Sequence, residues 1–185
     1  CWTNTLPNLP PWGAADPRVG NNPLVIAVPR ADGHVVLDMA MSQFSYGTLA
    51  TYRMRGELLP MDGGFDSNGQ LTRVPGDIED SNRPLPIGFW KGSGLALMLD
   101  LVAALLSGGK ATHQIATEPE RENGLSQVFI ALDASSLNPN HTASRIADQV
   151  IEYLQLPPNS AGERVRYPGQ RVLATRKENL AKGIP

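Results

Sequence analysis

The sequence predicts an α/β protein of the α+β kind, in which a mixed, largely antiparallel sheet accompanies one buried central helix. Two apolar, β-rich runs, residues 24–28 and 34–38, flank a short turn at residues 31–33, which is the pattern of a β-hairpin. Residues 91–107 are apolar on every side of a helical projection, and only Asp100 carries a charge between Lys91 and Ser107. A helix of this kind is expected inside the fold. The 185 residues are enough to bury it in a single domain.

The other predicted elements follow from local patterns. A strand is predicted at residues 1–4, and a helix is predicted to begin at Met39 and end near Gly56, so that Asp38 lies between a strand and a helix. The turn-rich stretch 59–89 has no predicted regular structure, and such a stretch is usually functional or wraps around a partner subunit. The remaining predicted elements are a strand at residues 127–133, an amphipathic helix at residues 143–154 whose Arg145, Asp148, Gln149 and Glu152 face water, a turn at residues 167–171, and a short polar helix after it.

The start of the central helix carries a candidate anion site. Gly92 and Gly94 let a ligand approach the backbone, and the first N–H groups of a helix have no partner within it. Lys91 adds a positive charge, so a phosphate or pyrophosphate would fit there. The alternative is that these glycines only cap and pack the helix, while Lys91 is a solvated surface charge. The dinucleotide fingerprint is not matched, because Leu97 stands at the third small position and residues 84–89 make a poor central strand.

Composition narrows the class of protein. Sixteen basic and 18 acidic residues leave the chain close to neutral, which argues against a surface for nucleic acid or anionic lipid. No uninterrupted apolar run of the length that a bilayer requires is read from the sequence. The single cysteine, Cys1, has no internal disulfide partner, which is consistent with the cytoplasm. His34, His113 and His141 are too far apart to pair at metal spacing, so no metal site is predicted; His34 is expected to be a partly buried strand residue and His141 a capping residue.

Seven motifs occur in a fixed order along nearly the whole chain, namely Asn4 and residues 10–13, 20–24, 37–40, 62–66, 90–94 and 167–170. In this order they resemble the malate/L-lactate/ureidoglycolate dehydrogenase family, whose members use nicotinamide cofactors without a Rossmann fold. The resemblance implies a non-Rossmann NAD-binding fold, in agreement with the dinucleotide fingerprint that is not matched.

The resemblance also implies a set of cofactor-binding residues. Asp38 would lie at the ribose, Trp90 and Lys91 at the adenosine-phosphate side, and residues 169–171 would close over the cofactor. The plainer alternatives are a helix N-cap for Asp38, a strand-end turn for Asn4 and a surface cation for Arg171. The full set is Asn4, His34, Val35, Val36, Leu37, Asp38, Met39, Ala40, Trp90, Lys91, Gly169, Gln170 and Arg171.

The implied activity is hydride transfer between a nicotinamide cofactor and a 2-oxo acid or 2-hydroxy acid. An acidic residue near the ribose favours NAD, while Arg171 leaves NADP open. Malate, L-lactate and ureidoglycolate are alternative substrates, and a non-catalytic anion-binding or assembly fragment is the alternative function.

The resemblance implies further properties of the whole enzyme. The family's catalytic histidines lie in an N-terminal portion that should precede Cys1. We therefore expect residues 1–185 to be the C-terminal, cofactor-binding portion of a larger enzyme, with no catalytic residue in this chain. A homodimer in the cytoplasm is expected, with a small-molecule substrate and with neither nucleic acid nor a membrane as a partner.

Overall fold

The computed structural model describes residues 1–115, 122–133, 143–156 and 165–183. The chain divides into two compact units, where the sequence predicts a single domain. The first unit consists of Cys1–Leu24 and Met39–Phe129, and the second consists of Val25–Asp38 and Ile130–Pro185.

The first unit is built from short strands and one long helix. Strand β1 (Trp2–Thr3) pairs antiparallel with two neighbours, since Trp2 lies opposite both Leu24 and Val128. The short strands β4 (Gly64–Phe65) and β5 (Leu71–Thr72) form a second antiparallel pair. The predicted mixture of helices with antiparallel strands is confirmed. The elements are β1 (Trp2–Thr3), α1 (Tyr46–Arg55), β4 (Gly64–Phe65), β5 (Leu71–Thr72), α2 (Pro75–Ser81), α3 (Trp90–Ser107), α4 (Thr112–Ile115) and β6 (Gln127–Val128).

The second unit contains the hairpin and two helices. Strands β2 (Leu24–Val28) and β3 (Val35–Met39) are neighbours in one sheet, as the sequence predicts, and their end residues Leu24 and Met39 belong to the first unit. Helix α5 spans Ala143–Leu154 and helix α6 spans Gln170–Lys182. Both helices are confirmed. His141 lies outside the described residues.

The central helix α3 is confirmed in extent, but the prediction that it is buried on all sides is wrong within this chain. Ala96 and Leu99 pack into a core with Leu9, Val19 and Met41. Only one face of the helix has other elements of the unit against it, so the opposite face stays in solvent. The exposed apolar side chains are Trp90, Leu95, Leu97, Met98, Leu101, Leu105 and Leu106.

By length and composition, α3 would also be able to cross a bilayer, with a mean hydropathy of 1.3 over its 18 residues. Its polar contacts are instead those of a core helix. Asp100 is buried, and its carboxylate accepts hydrogen bonds from the side-chain amide of Asn4 and the backbone N–H of Thr112. A helix charge that is satisfied by neighbouring segments of the same unit indicates a packed interior.

Helix α1 begins seven residues later than predicted. Its N-cap is Ser45, whose side chain accepts a hydrogen bond from the N–H of Thr48. Asp38 lies inside β3, so the interpretation of Asp38 as the N-cap of the following helix is wrong. The predicted start at Met39 follows a helical spacing of apolar residues, but Met39 is the last residue of β3, and residues 40–45 connect that strand to the helix.

Two further segments differ from their prediction. The stretch 59–89 contains regular structure, namely β4, β5 and α2, and it supplies Leu59 and Ile78 to a second core with Leu49. Its elements are only two to seven residues long, which is why periodicity does not reveal them. The predicted strand 127–133 is reduced to Gln127–Val128, because β1 offers only two residues to pair with.

Candidate functional site

The second unit contains a cavity of about 320 Å³ that collects several of the predicted cofactor-binding residues. His34, Val36 and Asp38 line one side, and Gly169 and Val172 line the other. This volume lies at the lower end of the range for small-molecule sites. Two segments that are 130 residues apart in sequence therefore supply one cavity.

Strand alternation explains which residues of β3 line the cavity. Successive side chains of a strand point to opposite faces, so His34, Val36 and Asp38 share one face. Val35 and Leu37 belong to the other face and are half-buried. Of the five predicted residues from 34 to 38, three line the cavity and two lie on the opposite face of the strand.

Gly169 brings the two segments of the cavity into close contact. The backbone N–H of Val36 donates a hydrogen bond to the carbonyl oxygen of Pro168 at 3.2 Å. A Cβ atom added at Gly169 would lie 3.2 Å from the nitrogen and 3.3 Å from the oxygen of Val36, and its φ is +87°. Both the close approach and the left-handed backbone require glycine here.

An Arg30 cluster holds the segment before Gly169 in place. The Arg30 guanidinium is paired with the carboxylate of Asp148 and lies 3.3 Å from the hydroxyl oxygen of Tyr167. The guanidinium carbon is also 5.8 Å from the centre of the Tyr167 ring, which is within the range of a cation–π contact. The hydrogen bond to Asp148 raises the pKa of Arg30. The prediction that Asp148 only faces water is therefore wrong.

Gln170 and Arg171 occupy the first turn of α6. The side-chain oxygen of Gln170 accepts hydrogen bonds from the side-chain amide of Gln155 at 3.0 Å and from the backbone N–H of Tyr167 at 3.3 Å. Arg171 is exposed. Gln170 thus stabilises the turn through its own side chain, and Arg171 is available to a ligand.

The two titratable side chains of the cavity present different chemistry. His34 is exposed, contrary to the expected partial burial, and its Nδ1 atom accepts a hydrogen bond from the backbone N–H of Arg30 at 3.3 Å. In the neutral imidazole, Nε2 then carries the proton and acts as a donor. Asp38 is also exposed, and among the described residues no Lys or Arg forms an ion pair with it. The cavity therefore offers one donor and one carboxylate acceptor.

The other predicted residues belong to the first unit. Met39 packs against its core, and Ala40 follows it. Asn4 is fully buried: its amide donates to Asp100 and to the carbonyl oxygen of Lys110, both at 2.8 Å, and its side-chain oxygen accepts from the N–H of Ser126 at 2.7 Å. A ligand contact from Asn4 would have to replace one of these bonds, so its role at the cofactor stays a prediction.

The start of α3 does not have the free N–H groups that the sequence analysis expects. The N–H of Lys91 donates to the carbonyl oxygen of Gly88, and the N–H of Gly92 donates to that of Ile87. The N–H of Ser93 donates to the carbonyl oxygen of Phe89. The preceding loop thus satisfies these donors, and the prediction of unpaired N–H groups is wrong for them. Trp90 and Lys91 remain exposed, and their predicted cofactor contacts would have to come from their side chains.

Three residues in and around the cavity are not among the predicted site residues, namely Val172, Arg30 and Asp148. Val172 lines the cavity and lies three residues after Gly169. Helical spacing from the predicted turn is therefore a signal that could have identified it. Arg30 and Asp148 are 118 residues apart, and no local pattern links them. The one local signal for this pair is that Arg30 is a basic residue directly before the predicted hairpin turn.

Comparison with known proteins gives the same family across the chain. The model of the malate/L-lactate dehydrogenase family matches residues 1–185. A 2,3-diketo-L-gulonate reductase of Pasteurella multocida strain Pm70 is 42% identical over 186 residues, which cover 100% of this chain and 56% of that protein. A 2,3-diketo-L-gulonate reductase of Salmonella paratyphi B is 42% identical over 185 residues and is covered to 55%. The chain thus spans about half the length of the curated relatives it matches.

Solved structures show the same fold. Malate dehydrogenase from Pyrococcus horikoshii OT3 has a TM-score of 0.83 at 26% identity, with 100% of this chain and 52% of that chain covered. Δ1-Piperideine-2-carboxylate reductase from Pseudomonas syringae pvar. tomato has a TM-score of 0.78 at 28% identity, with 100% and 55% covered. This chain belongs to the malate/L-lactate dehydrogenase family.

Proposed function

We propose that this chain provides the nicotinamide-cofactor site of an oxidoreductase that reduces 2,3-diketo-L-gulonate with NADH. The reaction class is supported by family membership, and the substrate by the two reductases that are 42% identical. Malate, L-lactate and ureidoglycolate are the alternative substrates. The observation that carries the cofactor proposal is the cavity in which Asp38 faces Gly169.

The residues of the cavity fit part of a dinucleotide. The carboxylate of Asp38, which forms no ion pair with any described residue, accepts hydrogen bonds from ribose hydroxyls, which is the usual role of an acidic residue in NAD sites. Gly169 lets its turn pack against the backbone of Val36, and this contact forms the wall of the cavity next to Asp38. The Nε2–H group of His34 is a further donor toward the ligand. When bound, the nicotinamide carries the hydride that the reaction transfers.

NAD is preferred to NADP for an electrostatic reason. A carboxylate next to the ribose repels a 2′-phosphate, and Asp38 has no described cation to neutralise it. Arg171 would favour the phosphate instead. The proposal extends to a homodimer in the cytoplasm, which rests on the family resemblance and on the single cysteine, Cys1.

The test is a titration of the purified protein with NADH and with NADPH, followed by cofactor fluorescence. Asp38→Asn is expected to weaken NADH binding about tenfold, because a charge-assisted hydrogen bond is replaced by a neutral one. Asp32→Asn is the matched control, since Asp32 is an exposed carboxylate in the turn before β3. Equal losses in the two variants would contradict a role for Asp38.

The substrate is tested separately with the complete oxidoreductase for which this chain is proposed to provide the cofactor site, by the absorbance of NADH with each acid in turn. We expect the highest kcat/KM for 2,3-diketo-L-gulonate. NADH binding without turnover of any of the four acids would leave the cofactor site in place and remove the proposed substrates.

A further inference from the structure

The first unit contains a second cavity, of about 430 Å³, which none of the predicted cofactor residues lines. Its walls include Pro10, Pro11 and Trp12 from one loop, and Phe65 and Leu85 from the β4 region. The volume lies within the range of small-molecule sites, and apolar and aromatic walls are typical of them.

One charged residue, Arg83, also lines this cavity. Arg83 is half-buried, and among the described residues no carboxylate lies within ion-pair distance of its guanidinium. A cation beside apolar walls is less well solvated than one in open water, so an anion that reaches it is held more strongly. The guanidinium presents a planar pair of donors that matches the two oxygens of a carboxylate.

The backbone around Arg83 is fixed before any ligand binds. Its carbonyl oxygen accepts a hydrogen bond from the N–H of Phe65 at 2.9 Å. The next residue, Pro84, is fully buried and forms a bridge with Gly64. Leu85 then donates its N–H to the carbonyl oxygen of Gly63 at 2.8 Å. The arginine is therefore held on a rigid segment.

The loop on the other side of the cavity is also held at several points. Leu9 and Val19 form an antiparallel bridge at its base. The backbone N–H of Trp12 donates to the hydroxyl oxygen of Ser93 at 3.1 Å, and the Trp12 ring lies 4.8 Å from the ring of Phe89. A preformed cavity binds a ligand without first paying the entropy of ordering its walls.

We propose that this cavity binds a small organic acid, with its carboxylate on Arg83 and its apolar body against Trp12 and the prolines. A single guanidinium among apolar walls selects a monoanion with an apolar part, because a polyphosphate or an inorganic anion would lose hydration without gaining further donors. The inference does not rest on the proposed cofactor site, since it uses other residues in the other unit.

The experiment measures binding of benzoate, benzamide and acetate to the purified protein by calorimetry, with tryptophan fluorescence as a second readout for Trp12. Benzoate is expected to bind saturably. Benzamide, which lacks the charge, and acetate, which lacks the ring, are each expected to bind about tenfold more weakly.

Arg83→Gln is expected to weaken benzoate binding about tenfold while leaving benzamide binding unchanged. Arg55→Gln is the matched control, because it removes an exposed arginine of the same unit and should leave both affinities unchanged.

Two results would overturn the proposal. One is that Arg83→Gln binds benzoate with the original affinity. The other is that the unaltered protein shows no saturable benzoate binding up to about 10 mM, a weak-affinity limit. If Arg83→Gln does not fold, the unaltered protein still decides, since equal affinities for benzoate and benzamide exclude a carboxylate site. Asp38→Asn should leave benzoate binding unchanged, which separates this result from that of the cofactor proposal.

Discussion

Val36 and Pro168 are joined by a backbone hydrogen bond of 3.2 Å, and this bond places Gly169 against the strand that carries Asp38. The strand contributes a carboxylate and an imidazole, while the turn contributes a bare backbone and the start of a helix. The geometry of the cavity therefore depends on how firmly residues 167–169 are held.

Gly169→Ala is expected to destabilise the second unit by about 2 kcal/mol, because the new methyl group would meet the backbone of Val36 in a left-handed conformation. Gly56→Ala is the matched control. Gly56 is also left-handed, with a φ of 66° and a ψ of 24°, but has no atom within 4 Å of the added Cβ. Thermal unfolding and NADH titration measure both variants. Equal effects would mean that the backbone conformation, and not the close approach, makes glycine necessary at residue 169.

Arg30→Gln is expected to loosen the turn, because it removes both the ion pair with Asp148 and the contacts with Tyr167. Hydrogen exchange at the Val36 amide should become about tenfold faster, and NADH should bind more weakly. Tyr167→Phe should have a smaller effect, since it keeps the aromatic ring and loses only the hydroxyl. Arg171→Gln serves as a control for the exchange measurement. Protection of Val36 that is unchanged in Arg30→Gln would show that the cluster does not hold the turn.

Whether the sequence predicts an element correctly depends on how far apart along the chain its interacting residues lie. The hairpin, the span of α3 and the ends of α5 depend on local periodicity and caps, and the sequence predicts them correctly. The burial of α3 depends on which elements pack against it, and Asp38 loses its predicted capping role because Ser45 supplies the cap. The residues of the cavity show the same difference between local patterns and long-range contacts. Strand alternation identifies His34, Val36 and Asp38, whereas the pairing of Arg30 with Asp148 depends on a contact over 118 residues.

Asn4→Ala is expected to lower the free energy of unfolding by about 3 kcal/mol. It removes three buried hydrogen bonds and leaves the carboxylate of Asp100 with the N–H of Thr112 as its remaining partner from this network. Asn68→Ala is the control, because Asn68 is exposed in a turn that uses only its backbone N–H. Denaturant unfolding measures both. A loss below about 1 kcal/mol for Asn4→Ala would contradict the importance of the network.

Tyr46 is expected to make the protein less stable at alkaline pH. Burial raises the pKa of Tyr46 to about 12 from a usual value of 10.0. The unfolded chain then releases the phenolic proton before the folded protein does. The contribution is complete below pH 10 and is lost as the pH rises toward 12. Because the ring is partly exposed, we expect about 1 kcal/mol.

The measurement for Tyr46 is the difference in unfolding free energy between the unaltered protein and Tyr46→Phe, taken at intervals from pH 9 to pH 12. The difference should shrink as the pH rises. Tyr153→Phe changes a tyrosine that is 78% exposed and should give a difference that does not vary with pH. A constant difference for Tyr46→Phe as well would rule out preferential ionisation in the unfolded chain.

Gly92 and Gly94 lie two residues apart in the first turns of α3, yet alanine is expected to have opposite effects at the two positions. A Cβ atom at Gly92 would lie 2.3 Å from the carbonyl oxygen of Ile87, which also accepts the hydrogen bond from the N–H of Gly92. Backbone cannot move aside easily, so Gly92→Ala should destabilise the protein by about 3 kcal/mol. Gly94 has no atom within 4 Å of an added Cβ. Gly94→Ala should therefore stabilise the helix by about 0.5–1 kcal/mol, since alanine loses less backbone freedom on folding.

Thermal unfolding of the two single variants tests the pair. A destabilising Gly94→Ala would indicate that a ligand or another segment needs the bare backbone at residue 94, whereas a neutral Gly92→Ala would contradict the tight loop that satisfies the start of the helix.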